Sequence, residues 1–319
     1  MVTTTDNWSA QIRSGDTRAI SRAVSAIEDR APEAEQILRE LFPFTGHAYR
    51  IGITGAPGTG KSTLVDRLAS HYRGEHRTVG IIAVDPSSPF TGGAILGDRI
   101  RMQGHATDSG IFIRSMATRG YLGGLAQATG DVALLLDAAG KDRILIETVG
   151  VGQGEIEIVR LADCTLVVLM PGMGDDVQSL KAGLMEIGDI FVLNKSEREG
   201  AERFEQQLRA ILQLVPEREG WKPPVVRTVA TENKGIAELA AEIERFRSHF
   251  GAAPERRSRE LAYWKEWLLR LLQARLMERA LGGAGAEAQL ENLAAAVAAR
   301  KKDPYTAVNE ILSRSGLPG

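Results

Sequence analysis

Residues 55–63 read Gly-Ala-Pro-Gly-Thr-Gly-Lys-Ser-Thr, and this segment restricts the fold more than any other part of the chain. Gly55, Gly58 and Gly60 admit backbone angles that a Cβ forbids, so successive N–H groups can turn toward one centre. Lys61 sets a full positive charge beside that centre, and a helix beginning there adds the positive end of its dipole. The result is a socket for a chain of phosphates. The spacing fits GxxxxGK[ST], and the setting this motif needs is present: the strand-like YRIGIT of 49–54 precedes it and the helical LVDRLASHY of 64–72 follows. Ala56, Pro57 and Thr59 complete the loop. Lys61 is expected to reach the β- and γ-phosphates, Ser62 to offer its hydroxyl to Mg²⁺, and Thr63 to lie near the α-phosphate.

Further short runs rich in Val and Ile occur at 79–84, 111–114, 143–147, 164–170, 190–193 and 225–229. Segments long enough for crossovers separate them, which predicts an α/β fold with a doubly wound, mostly parallel sheet covered on both faces. Apolar residues at helical spacing between Trp8 and Leu41, broken near Ala31-Pro32, predict two helices ahead of this core. After Pro254 the composition turns to Leu, Ala, Arg and Glu. There Leu261, Trp264, Leu268, Leu271 and Leu272 form one helical stripe, and Leu290, Leu293 and Val297 a second, with Gly282–Gly285 as the turn between them. The expected organisation is an N-terminal helical segment (1–45), a nucleotide domain (46–253) and a C-terminal helical segment (254–319).

Composition removes several function classes. With 43% hydrophobic and 25% charged residues over 319 positions the chain is neither disordered nor fibrous. A net charge of -2 gives no general reason to bind nucleic acid or an anionic membrane surface. No apolar stretch approaches the ~20 residues that span a bilayer. The start MVTTTDNWSA lacks the basic-then-apolar pattern of an export signal, and the single Cys164, within LADCTLVVLMP, reads as a core residue that can form no internal disulfide. The cytoplasm is the expected location.

Four acids stand where a magnesium and switch apparatus belongs: Asp85 after VGIIAV, Asp98 in GGAILGDRIRM, Asp131 in QATGDVALLL, and Glu147 ending RILIE. Mg²⁺ takes one or two carboxylates beside nucleotide oxygens and a loop hydroxyl. Asp85 and Glu147 are favoured because acids at the carboxyl ends of parallel strands face the ligand crevice; Asp98 stays open, and Asp131 reads as a helix or loop residue. Gly150, in the glycine-rich stretch after Glu147, is the candidate backbone contact to the γ-phosphate. The segment 171–176 is either a second nucleotide-sensitive loop or a strand-to-helix turn. Asn194-Lys195-Ser196-Glu197 is similar to the guanine-reading NKxD motif, with Glu where Asp is usual, and Ala230-Thr231 follow the last strand as a candidate backbone contact to the base.

Together, SGDTRAISRAVSAIED, GAPGTGKSTLVD, VDPSSPFTGGAILGDRIRM, FIRSMATRGYLGGL, ETVGVGQGE and DDVQSLKAGLMEIGDIFVLNK resemble the MeaB/ArgK-type GTPases, the group containing the human methylmalonic aciduria type A protein. The resemblance spans nearly the whole chain. It implies a G-protein chaperone, binding GTP or GDP with Mg²⁺, that gates cobalamin delivery to an adenosylcobalamin-dependent acyl-CoA mutase and protects or restores that enzyme. It further implies a homodimer joined through the C-terminal helices and an indirect link to the adenosyltransferase. Asp85, Asp98 and Glu147 then belong to the magnesium and switch region, and 170–181 becomes a third switch whose Lys181 serves partner-stimulated hydrolysis.

The expected chemistry is in-line attack of water on the γ-phosphate, slow until a partner completes the site, because Gln153 and Arg119 both have structural readings. Two rival readings are a kinase of a periplasmic amino-acid transport system and a metal-insertion GTPase. The second is disfavoured, since His47, His71, His76, His105, His249 and Cys164 form no ligand-spaced cluster.

Overall fold

The computed structural model describes residues 4–85, 105, 107–117, 124–148, 161–172, 182–251, 253–281 and 286–314. Two units result, 1–257 and 258–319. In the first, seven strands form a single sheet: β1 (Tyr49–Thr54), β2 (Val79–Asp85), β3 (Ile111–Ala117), β4 (Arg143–Glu147), β5 (Cys164–Leu169), β6 (Ile190–Leu193) and β7 (Val225–Arg227). Their order is β3-β2-β4-β1-β5-β6-β7, and every pairing is parallel. The expected doubly wound sheet is therefore the one that forms. Strands β4, β5 and β6 are buried at every position, which is why Ile144–Ile146, Leu166–Leu169 and Ile190–Leu193 are continuous apolar runs instead of polar-apolar alternations.

Successive side chains still divide between the two faces. Leu145, Leu166 and Val168 point to the face covered by α4 (Lys61–Gly74), where Leu64, Val65 and Leu68 pack with no exposure. Ile144, Ile146, Ile82 and Val84 point to the other. That second face is covered by the N-terminal helices α1 (Thr4–Arg13), α2 (Thr17–Glu28) and α3 (Pro32–Leu41), together with α5 (Gly124–Ala138). Further along it, α7 (Ala201–Leu212) covers Val167, Leu169, Phe191 and Leu193. The short α6 (Ala182–Ile187) precedes β6, and α8 (Ile236–His249) follows β7. Fully burying one such Leu contributes roughly 1.5–3 kcal/mol. The N-terminal helices thus share one apolar cluster with the sheet and do not stand apart from it.

Where two helices were expected before the core, three form. Gly15 at φ +81° ends the first, and Asp16 caps the second by accepting from the Ala19 N–H at 2.7 Å. Pro32 then opens the third at its first turn, where a missing N–H costs nothing.

The second unit likewise carries a further helix beyond the expected pair. After α9 (Ala253–Leu281) and α10 (Ala286–Ala298) comes α11 (Pro304–Arg314), with Asp303 accepting from the Thr306 N–H at 3.0 Å. The expected turn 282–285 lies outside the described residues. Leu293 and Ala307 are buried, while Leu261, Leu268, Leu269, Leu272 and Met277 are exposed. Among the described residues no helix is long and apolar enough to cross a membrane.

Candidate nucleotide site

At the carboxyl end of β1 the chain enters the glycine loop at Gly55 (φ +141°), Gly58 (φ +81°) and Gly60 (φ +94°). Two of these glycines answer to neighbours as well as to backbone angle. A Cβ on Gly55 would overlap the Val168 carbonyl oxygen of β5, and one on Gly60 would overlap the Asn194 side-chain amide. Thr59 is fully buried, its hydroxyl donating to the Ala56 carbonyl at 2.9 Å. Ala56, Pro57 and Gly58 lie on the open side of the loop. Lys61 begins α4 with 6% exposure, and its ammonium donates to the carbonyls of Gly55 at 2.7 Å and Ala56 at 3.1 Å. That places a cation across the mouth of the loop.

Ser62 and Thr63 occupy the first turn of α4. The Ser62 hydroxyl donates to Glu147 Oε1 at 2.6 Å, joining the start of that helix to the buried end of β4. A hydroxyl and a carboxylate from two separate elements make a small set of hard oxygen donors, the chemistry Mg²⁺ selects. Asp85 ends β2, in register with Ala117 of β3; its side chain lies outside the described residues, as do Asp98, Gly150 and Lys181. Asp131 sits within α5, and burial pushes its carboxyl up to about 7. Pro171 and Gly172 follow β5 as a turn, and 173–181 lie outside the described residues.

The expected base side converges on Asn194, 2% exposed just after β6. Its Nδ2 donates to the Thr59 carbonyl at 2.8 Å, while Oδ1 accepts from the Thr228 hydroxyl at 3.0 Å and from the Ala230 N–H at 3.1 Å. One amide thereby fastens the glycine loop to the segment after β7. Lys195 takes a left-handed backbone (φ +56°) and donates from Nζ to the Gly58 carbonyl at 2.7 Å. Glu197 is exposed beyond it, and Thr231 is exposed beside the buried Ala230. Arg67, two turns along α4, donates to the Ala230 carbonyl at 3.2 Å.

The geometry thus gathers Gly55–Thr63, Glu147, Asn194, Lys195 and Ala230 around one loop. Against this background the family model described as "Methylmalonyl Co-A mutase-associated GTPase MeaB" matches residues 20–284. The chain belongs to the MeaB family. A Pyrococcus abyssi protein whose name places it among GTPases is 48% identical over 313 residues, covering 96% of this chain and 95% of that one. GTPase ArgK of Escherichia coli is 36% identical over 269 residues, covering 81% and 80%. A crystal structure of an LAO/AO transport system kinase superposes with a TM-score of 0.74 at 26% identity, covering 97% of each chain.

This MeaB-family protein is therefore a GTPase, a class that binds guanine nucleotide. Sequence reading missed two contributors to the frame of the site. Thr228 was hidden inside a run read as strand, and only its place at the strand's end hinted at a polar task. Arg67 gave no signal, since its partner is a backbone carbonyl 163 positions away. Among the described residues of this MeaB-family chain no cluster of His, Cys, Asp and Glu could hold a metal by itself, so Ser62 and Glu147 would need nucleotide oxygens to complete a shell.

Proposed function

We propose that this GTPase is a chaperone of an adenosylcobalamin-dependent acyl-CoA mutase, methylmalonyl-CoA mutase or a close relative, coupling GTP hydrolysis to cofactor delivery and to protection or reactivation of the enzyme. The observation that carries the reading is the family match over 20–284, whose description names a mutase-associated GTPase. In this reading Gly55–Thr63 hold the phosphates, with Lys61 neutralising the charge that grows as water attacks the γ-phosphate in line. Asn194, Lys195, Glu197, Ala230 and Thr231 hold the base. Ser62 and Glu147, with Asp85 and Asp98, would hold Mg²⁺, which supplies Lewis-acid stabilisation of phosphoryl oxygens when bound. Gly150 reports loss of the γ-phosphate, and Lys181 acts when the mutase is engaged. The exposed leucines of 258–319 support a homodimer formed through that unit.

The test is co-elution of the full chain with purified methylmalonyl-CoA mutase in GDP and in a non-hydrolysable GTP analogue. Nucleotide-dependent complex formation and mutase-stimulated phosphate release are expected; a mutase that neither binds nor stimulates in either state ends the proposal. The superposition on an LAO/AO transport system kinase favours a second reading, phosphoryl transfer to a protein. Appearance of γ-phosphate radiolabel on a protein acceptor would select it.

A further inference from the structure

The turn that follows β7 takes its shape from its own bonds and its aim from elsewhere. Val229 and Lys234 each donate a backbone N–H to the other's carbonyl, at 3.0 and 3.2 Å. Asn233 at φ +57° and Gly235 at φ +75° bring the chain back, and a Cβ on Gly235 would overlap the Arg227 carbonyl. Inside the turn the Asn233 N–H donates to the Ala230 carbonyl at 3.3 Å. Two partners outside it meet at Ala230. The Ala230 N–H donates to Asn194 Oδ1 at 3.1 Å, and the Ala230 carbonyl also accepts from Arg67 Nε at 3.2 Å. One residue is thus held from both ends, by the segment after β6 and by the helix that starts in the glycine loop.

Arg67 is half-buried on α4. Among the described residues it makes no ion pair, and the adjacent Asp66 instead lies 2.9 Å from His105 Nε2. An unneutralised guanidinium makes its bond to the carbonyl charge-assisted and stronger than a neutral one. The consequence travels through one rigid unit. The carbonyl of Ala230 and the N–H of Thr231 belong to the same planar trans peptide, so they point opposite ways. With the carbonyl drawn toward α4, the Thr231 N–H faces away from that helix. In the 3-10 turn Ala230–Glu232 successive peptides are aligned, so their N–H groups share a direction. The Ala230 N–H goes to Asn194, and the Thr231 N–H therefore emerges on the same side. It donates to no acceptor among the described residues, and a base seated against Asn194 would meet it.

We propose that Arg67 is a positioning residue for base recognition: by holding the Ala230 carbonyl it aims the Thr231 N–H at the guanine O6 atom. The inference rests on the proposed placement of the base against Asn194, Glu197 and Ala230. Its test compares the affinities of the full chain for GDP, 6-thio-GDP and IDP by titration calorimetry with Mg²⁺ present. The thio analogue replaces O6 with a weaker acceptor and keeps the N1–H and 2-amino groups; IDP keeps O6 and lacks the 2-amino group. The wild-type chain should prefer GDP to 6-thio-GDP by about fivefold, the worth of one hydrogen bond. Arg67→Met keeps the length of the stem but has no donor, and should bring that preference close to one. Arg67→Gln sets its Nε2 at the chain position of the arginine Nε and should retain it. The preference for GDP over IDP should be the same in all three proteins. The role of Arg67 is overturned if Arg67→Met keeps the wild-type preference over 6-thio-GDP, if Arg67→Gln loses it as Arg67→Met does, or if both preferences collapse together. A wild-type chain that prefers GDP to IDP but not to 6-thio-GDP leaves the base where it was placed and removes the bond to O6. Preference over neither analogue removes the placement itself.

Discussion

Nine consecutive residues, Gly55–Thr63, make the proposed phosphate half of the site, whereas the proposed base half is gathered from β6, the segment after β7 and the glycine loop itself, all meeting at Asn194. The first is built chiefly from backbone, with carbonyls and N–H groups whose directions follow from three positive φ values. The second depends on one buried amide that uses both of its polar atoms. A backbone cradle resists most side-chain change but fails where a Cβ has no room. A side-chain hub fails at one position and carries the damage into every segment it joins.

The sharpest probe of the phosphate half is its only buried cation. Lys61→Ala removes the ammonium held between the Gly55 and Ala56 carbonyls. Removing one preorganised charge stabiliser lowers kcat by about 10²–10³-fold, so phosphate release from GTP should fall by that order. Wild-type turnover in the variant would place the catalytic charge elsewhere.

Next in size is a contrast between two glycines. Gly55→Ala forces a Cβ against a backbone oxygen of β5, and that core strand cannot give way. With left-handed strain added, the loss should reach about 2–4 kcal/mol in urea denaturation. Gly60→Ala meets only the Asn194 amide, a side chain able to swing aside. Displacing that amide orphans the groups it serves, so the loss should be about 1–3 kcal/mol, still below that of Gly55→Ala, and nucleotide affinity suffers because Asn194 leaves its seat. Equal destabilisation by the two would break the distinction between backbone-made and side-chain-made halves.

For the base half, Asn194→Ala strands the Thr59 carbonyl and the Ala230 N–H, each otherwise buried against the amide. An orphaned buried group costs about 1–3 kcal/mol, so affinity for a fluorescent GDP should drop by about 10–100-fold. Lys195→Ala, which removes a more exposed contact to Gly58, should cost less. The reverse ranking would show that Asn194 is not the hub.

The same contrast explains what could be read from sequence. The glycine loop was legible because its chemistry and spacing are contiguous, and strands β4 and β6 were legible to the residue because burial on both faces leaves apolar runs at Ile144–Ile146 and Ile190–Leu193. Asn194 was expected to read the base from its place in Asn194-Lys195-Ser196-Glu197, but its bond to Thr59 joins positions 135 apart and left no local trace. Three N-terminal helices looked like two, since a Gly15-Asp16 break shorter than a helical turn hardly disturbs the apolar period. Helix α11 was hidden behind the basic run 300–302, where Lys302 turns out to pair with Glu310.

The smallest expected effect concerns Glu197, the one departure from the usual guanine-reading motif. The backbone leading to it is pinned: the Ser196 N–H and hydroxyl both donate to the Thr228 carbonyl, at 3.2 and 3.1 Å, and the Arg198 N–H donates to the Lys195 carbonyl at 3.0 Å. The extra methylene, about 1.5 Å of reach, therefore cannot be absorbed by sliding the chain and must be taken up by side-chain torsions. Glu197→Asp should shorten the carboxylate to the usual length and strengthen its bonds to the guanine N1–H and N2–H₂ groups. At an exposed position one hydrogen bond contributes about 1 kcal/mol, roughly fivefold, so the preference for GDP over IDP, which lacks the 2-amino group, should rise by about that factor. A preference that falls on shortening would mean that Glu197 already reaches the base and that the added methylene is part of its fit.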